Sequence, residues 1–193
     1  MRRLPPKRVP NRTVRSREYL TPDEVEQLIR TAARTGRNRH RDATLILVAY
    51  RHGLRAGELV SLRWDQVDFK EALLRVTRSK NGTASNHPIG AREIRALRKL
   101  RRIQGPSMHV FTSERGGPMK RANVHKIVAR AGRLAGLPFP AHPHMLRHAC
   151  GYKLANDGHD TRAIQHYLGH KNIMHTVRYT ELASDRFKGF WSD

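Results

Sequence analysis

One cysteine in 193 residues leaves Cys150 without an internal disulfide partner, and cysteine poverty of this kind fits a reducing compartment. Acids are scarce as well: 16 Asp and Glu stand against 38 Lys and Arg, a formal net charge of +22. No apolar run is long enough for a bilayer. The longest, Leu45 to Tyr50, falls far short of the roughly 20 residues a spanning helix needs. The basic stretch at the start has no hydrophobic segment behind it, which excludes a secretory signal. There is no HExxH, no CxxC and no internal repeat. A basic amphipathic helix set apart from the rest, the mark of a membrane-surface protein, is also missing. What remains is a polyanionic partner, with nucleic acid foremost, because binding it releases counterions and steers association. The expectation is a cytoplasmic, nucleoid-associated protein with no membrane partner.

The length suits one domain with a real core. Residues 1–18 read as a flexible basic arm. Seven Arg and Lys fall between Met1 and Arg17 with no acid, alongside Pro5, Pro6 and Pro10, and such a segment cannot bury enough apolar surface to fold alone. Arg12, Arg15 and Arg17 are its expected DNA contacts. A folded domain over 19–183 follows, opening at Thr21-Pro22-Asp23-Glu24, where Thr21 caps, Pro22 takes the first helical position and Glu24 completes a capping box. Val25, Leu28, Ile29 and Ala32 recur at helical spacing. A second helix is expected over about 41–52, ending at Gly53.

Two strands, 73–77 and 83–89, flank Arg78-Ser79-Lys80-Asn81-Gly82, in which Asn-Gly is a hairpin turn signal. Pro88 puts the second strand at an edge or at its own end. Val110-Phe111, with a turn at Gly116-Gly117-Pro118, is the candidate third strand. Further helices are expected over about 91–103, 121–135, 143–156 and 161–168, and around Tyr179, with Gly136, Gly158 and Gly169 at helix ends. The fold class is mainly α with one small antiparallel β-sheet (α+β). Residues 184–193 form a tail whose Phe187, Phe190 and Trp191 suit docking, either on a neighbouring subunit or back on the same domain.

Chemistry concentrates in a few short contexts: Gly53-Leu54-Arg55-Ala56-Gly57-Glu58-Leu59, Ser79-Lys80-Asn81-Gly82, His144-Met145-Leu146-Arg147-His148, Leu168-Gly169-His170, and Tyr179 nine positions on. Arg55 follows a helix stop and projects from the start of the next helix, a place that attracts phosphate. Arg147, three positions after His144, shares a helix face with it. Two arginines clamp the non-bridging oxygens of a phosphate and stabilise a pentacoordinate transition state. A phenol with pKa near 10 is only about a thousandth ionised at pH 7. Tyr179 as nucleophile therefore needs a base, for which His144 is the candidate, and nearby positive charge. A metal site is the rival, since seven of twelve histidines lie between His142 and His175, and His142, His144 and His148 are close in sequence. Zinc sites usually pair histidine with cysteine or carboxylate at fixed spacing, and no such pattern occurs, so no metal is expected.

These boxes, in this order, resemble the tyrosine recombinases, or phage-integrase family, over about Leu20 to Tyr179. The resemblance implies catalytic roles for Arg55, Lys80, His144, Arg147, His170 and Tyr179. His170 would hydrogen-bond the scissile phosphate, and Lys80, on a mobile hairpin, would protonate the departing 5′ oxygen. Glu58 would orient the site, while Lys120 and Arg121 are further expected DNA contacts. It also implies cleavage through a 3′-phosphotyrosyl intermediate without cofactor, and a homotetramer on double-stranded DNA at specific recombination sites, with DNA-bending accessory proteins. Most members carry an additional N-terminal helical domain of about a hundred residues, where this sequence has only the arm. That shape, together with His142 to His148 followed by Cys150-Gly151, resembles the small fimbrial phase-switch DNA invertases. The expected function is DNA inversion. Open alternatives are a mobile-element integrase or excisionase, a fragment of a longer enzyme (against which Met1 and the arm speak), a type IB topoisomerase-like enzyme, and a non-catalytic basic DNA-binding protein.

Overall fold

The computed structural model describes residues 17–78 and 84–181. Helix α1 (Pro22–Arg34) starts as its sequence dictates. Thr21 Oγ1 accepts from the Glu24 N–H at 3.2 Å, and the Glu24 carboxylate accepts from the Thr21 N–H at 2.8 Å. Its buried stripe, Val25, Leu28, Ile29 and Ala32, packs on α2 (Arg39–Arg51). The second half of α2 is apolar on every side because it is enclosed on every side, with Leu45 through Ala49 all buried. The helix gives out at Gly53, which turns the chain with φ +56°, and α3 (Ala56–Val60) begins two residues after Leu54.

A 3₁₀ turn (Trp64–Gln66) leads into a three-stranded antiparallel sheet of β1 (Val67–Asp68), β2 (Leu73–Val76) and β3 (Ser85–Pro88), in that order. Leu74 pairs with both Val67 and His87, and Val76 pairs with Ser85. The third strand is thus Val67–Asp68 and not Val110-Phe111. The latter segment forms only isolated bridges on either side of it, Arg63 with His109 and Thr112 with Pro118. Its two side chains are instead fully buried in the core. Helices α4 (Ala91–Gln104), α5 (Arg121–Leu134), α6 (Pro143–Asn156), α7 (Thr161–Leu168) and α8 (Met174–Glu181) complete the described chain.

Two apolar clusters result. The larger joins α1, α2, α4, α5, the sheet and the first half of α6. The smaller consists of Cys150, Ala155, Ile164, Leu168 and Tyr179, between α6, α7 and α8. The polar site lies where these clusters meet. No helix among the described residues is long and apolar enough to cross a membrane.

Candidate active site

Arg147 is the centre of the arrangement. It is only 1% exposed, and its fork bridges two chain reversals: Nη1 donates to the Gly53 carbonyl at 2.5 Å and Nη2 to the Leu168 carbonyl at 2.6 Å. The ends of α2 and α7 must come close for one guanidinium to reach both. Gly53 allows this, since a Cβ there would stand 2.4 Å from Leu168 Cδ2 on a backbone already at positive φ. Burial, reinforced by the charges of Arg55 and Arg78, lowers the Arg147 pKa to about 10, so it remains a cation at neutral pH. A buried cation among other cations is poised for an anion.

Arg55 stands just before α3. Its backbone N–H donates to Glu58 at 3.0 Å and its Nη1 to the same carboxylate at 2.8 Å. The second cation on Glu58 is Arg78, whose Nη1 lies 3.0 Å from Oε2. Burial works against the Glu58 charge, but the Arg55 N–H and the Arg78 and Arg55 guanidiniums outweigh it and hold its pKa below the usual carboxylate range. Arg78 also donates to the carbonyls of Tyr167 and His52. Gly169, with φ +65°, leaves the space its side chain crosses, for a Cβ there would come 2.7 Å from Arg78 Cγ. The Arg78 side chain is fully buried, two residues past the end of β2.

Tyr179, on α8, is 1% exposed. Its hydroxyl is hydrogen-bonded to His148 Nδ1 at 2.8 Å, not to His144, the proton acceptor expected from sequence. The reason is helical geometry: His148 lies a full turn further along α6, deeper beneath α8, while His144 opens to solvent and meets the His148 ring edge-on at 4.4 Å. Burial raises the Tyr179 pKa to about 12 despite the Arg147 and Arg178 charges, and the phenol is neutral at rest. Burial first, then the His144, Arg178 and Arg147 charges, push His148 down to about 3. Desolvation and the Arg147 and Arg55 charges likewise lower His144. His170, just past α7, lies near-parallel to the Tyr179 ring at 6.2 Å, and its Nδ1 is 2.8 Å from Thr176 Oγ1. Burial and the Arg147 and Arg55 charges bring its pKa to about 3.

The structure therefore gathers Arg55, Glu58, His144, Arg147, His170 and Tyr179 into one electrostatic neighbourhood. Lys80, Arg12, Arg15 and the tail over 184–193 lie outside the described residues. Arg17 is engaged by Glu24 and the Phe139 ring. Lys120 precedes α5 and is exposed, and the Arg121 guanidinium lies against Gly57 beside the site. No cluster of three or more metal-ligating side chains occurs among the described residues. Sequence reasoning did not single out Arg78, nor His148 as the partner of Tyr179. It also passed over a buried network behind Arg78: His52 Nε2 to Glu93 at 2.8 Å, His52 Nδ1 to His87 Nδ1 at 3.2 Å, and His87 stacked on Tyr167 at 3.8 Å.

Comparison with known proteins identifies the family. Residues 18–186 match the model of the phage integrase family. The chain is 42% identical over 182 residues to the type 1 fimbriae regulatory protein FimB of Escherichia coli K12, covering 92% of this chain and 90% of that protein. FimE of the same strain is 42% identical over 181 residues, covering 91% of each. The tyrosine recombinase XerD of Pseudomonas putida is 36% identical, with 77% of this chain and 52% of that protein covered. Among solved structures, the XerA recombinase superposes with a TM-score of 0.77 at 25% identity, over 95% of this chain and 68% of that one. The XerH recombinase bound to its difH substrate shares the fold with a TM-score of 0.74 at 23% identity, over 88% of this chain and 51% of that one. The chain belongs to the phage integrase family, the tyrosine recombinases, and is an enzyme of DNA strand cleavage and rejoining.

Proposed function

We propose that the protein inverts a DNA segment between two specific sites, with Tyr179 as nucleophile. The observation that carries this reading is the 42% identity to FimB over nine-tenths of both chains, which fits the resemblance of its His142 to Gly151 box to the fimbrial phase-switch invertases. The Tyr179 oxygen attacks a DNA phosphorus as its proton passes to His144, the base expected from the sequence, once phosphate has arrived. A 3′-phosphotyrosyl bond forms, the bond from phosphorus to the 5′ oxygen breaks, and that oxygen departs with a proton from Lys80. The freed 5′ hydroxyl of another strand reverses these steps. Arg55 and Arg147 stabilise the charge on the non-bridging oxygens, His170 adds a hydrogen bond to the phosphate, and Glu58 orients Arg55. Bond energy stays in the protein linkage, so neither nucleotide nor metal is consumed or required.

In this reading residues 19–183 are the catalytic domain, 1–18 a DNA-binding arm and 184–193 a subunit-docking tail. Four subunits act on two sites with DNA-bending accessory proteins, and the work takes place at the nucleoid in the cytoplasm. The test begins with DNA captured covalently on the wild-type protein and sequenced. A plasmid carrying two inverted copies of the recovered site should yield inverted product with wild type and none with Tyr179→Phe. Relaxed plasmid without inverted product would point to a topoisomerase. An adduct persisting in Tyr179→Phe would remove Tyr179 from its role.

A further inference from the structure

We propose that His148 is the positioning residue of the nucleophile: its Nδ1 accepts the hydrogen bond of the Tyr179 hydroxyl and fixes where that oxygen stands relative to Arg147. The inference rests on Tyr179 being the nucleophile. The contact is 2.8 Å long and joins two side chains that are only 7% and 1% exposed, so water does not compete for either partner. The surroundings leave the phenol little freedom. Tyr152 meets it edge-on at 4.9 Å and His170 lies near-parallel at 6.2 Å. Beneath the ring is Gly151, where a Cβ would approach Tyr179 Cε2 to 2.5 Å. The ring plane is thus set by packing, and the hydroxyl direction by His148.

Chain order adds a constraint. His148 immediately follows Arg147 on a regular stretch of α6, and Arg147 is tied to Gly53 and Leu168. One rigid element therefore carries both the guanidinium that receives phosphate and the acceptor that holds the attacking oxygen. Reactions of this kind reward such fixed geometry, and misplacement by about 1 Å costs on the order of a hundredfold in rate.

Positioning, rather than proton abstraction, is the role the chemistry allows. The buried imidazole is neutral, with a pKa near 3, and the phenol is neutral with one near 12. Moving the proton from one to the other at rest is steeply uphill. His148 can accept the hydrogen bond without taking the proton, which leaves proton removal to the step in which phosphate arrives.

Two substitutions separate this role from simple core packing. Asparagine at 148 can place an amide oxygen near the Nδ1 position and accept the bond, although it cannot act as a base. Leucine fills the space and accepts nothing. On a nicked duplex bearing the site recovered from captured DNA, His148→Leu should cleave about ten- to a hundredfold more slowly at unchanged DNA affinity. His148→Asn should stay within several-fold of wild type. Tyrosine labelled at 13Cζ gives a reading without DNA: the Tyr179 resonance, identified by its loss in Tyr179→Phe, should move in His148→Leu and hold its place in His148→Asn.

Wild-type cleavage by folded His148→Leu would overturn the proposal, as would a folded His148→Asn as slow as the leucine variant. Should the leucine variant fail to fold, His148→Asn decides: a displaced Tyr179 resonance with cleavage intact overturns the proposal, and an undisplaced one with cleavage intact supports it. Tyr179→Phe is the separate control. An adduct in that variant defeats the nucleophile assignment, whereas loss of the adduct with His148→Leu unaffected defeats only the positioning role.

Discussion

Arg78 Nη1 lies 3.0 Å from Glu58 Oε2, so the chain leaving β2 is bonded to the carboxylate that also holds Arg55. Glu58 thereby joins the end of β2 to the start of α3, and Arg78 and Arg55 both rely on it for charge balance. Glu58→Ala should leave the fully buried Arg78 guanidinium without this counterion. Removing one partner of a buried pair typically costs about 3–5 kcal/mol. A fall of that size in urea unfolding, with cleavage lost at temperatures where the variant stays folded, is the expected result. Arg63→Ala, which breaks the exposed pair with Asp65, should change stability by less than about 1 kcal/mol.

Arg147→Lys should fail in a different way. The fork reaches two carbonyls on separate elements, a geometry that a single ammonium on a flexible stem does not reproduce. Adduct formation on a nicked duplex should drop by at least about a hundredfold, the scale for losing one preorganised donor at an anionic transition state. Cleavage at the wild-type rate would show that charge alone suffices at this position.

The parts of this site legible in the sequence are those that sit in compact boxes, Arg55, His144, Arg147, His170 and Tyr179, and the structure brings these side chains into one neighbourhood. The capping box at Thr21 and the glycine stops at Gly53 and Gly169 were equally readable, because each meets a local backbone requirement. Arg78 was hidden among 38 basic residues, yet its signal was present. It continues the core-facing alternation of Leu74 and Val76 along β2, and all three are buried. The role of His148 was masked by its neighbour, since spacing alone does not tell which of two histidines one turn apart lies beneath α8. Strand β1 is two residues long, too short for any periodicity, and Val110-Phe111 looked more strand-like because it is core.

Stability should fall in mild acid, and the histidines set the sign. His87 and His148 are buried, and both have pKa values pushed down to about 3, first by desolvation and then by neighbouring positive charge. The unfolded chain binds a proton at each below about 6.5, while the folded chain does not until about 3. Their contribution is therefore complete above pH 6.5 and is lost as pH falls toward 3, with a slope of up to about 1.4 kcal/mol per pH unit for each. Glu58 and Glu93, whose pKa values are held low, add in the same direction once their unfolded carboxyls protonate. Urea midpoints measured from pH 7.5 to 4 should show this decline, and it should be shallower in His148→Asn. Parallel slopes would mean that the His148 imidazole protonates without unfolding.

Adduct formation should survive EDTA. In the proposed mechanism the positive charge for the transition state comes from Arg55 and Arg147, and Arg147 keeps its charge at neutral pH even when buried. Loss of cleavage on chelation, restored by zinc or magnesium, would return the histidines between His142 and His175 to the role of ligands.

The leaving group offers the sharpest division of labour. If Lys80 protonates the 5′ oxygen as its bond to phosphorus breaks, Lys80→Ala forces a poor alkoxide to depart, and cleavage should slow by about a hundred- to ten-thousandfold. A substrate with sulfur at that 5′ bridging position releases a thiolate, which needs little help from an acid. The Lys80→Ala defect should largely vanish on the sulfur substrate. Arg55→Ala removes stabilisation of the non-bridging oxygens, a need that sulfur at the bridging position does not relieve, so it should remain slow on both. Glu58→Gln probes the link between them. It keeps the shape of the side chain that Arg55 and Arg78 share but removes its charge. A defect that sulfur relieves would place the effect of Glu58 on Lys80 through Arg78, and one that persists would place it on Arg55. Equal Lys80→Ala defects on the two substrates would leave Lys80 as a DNA contact alone and make His144, exposed beside Arg147, the first candidate for the acid.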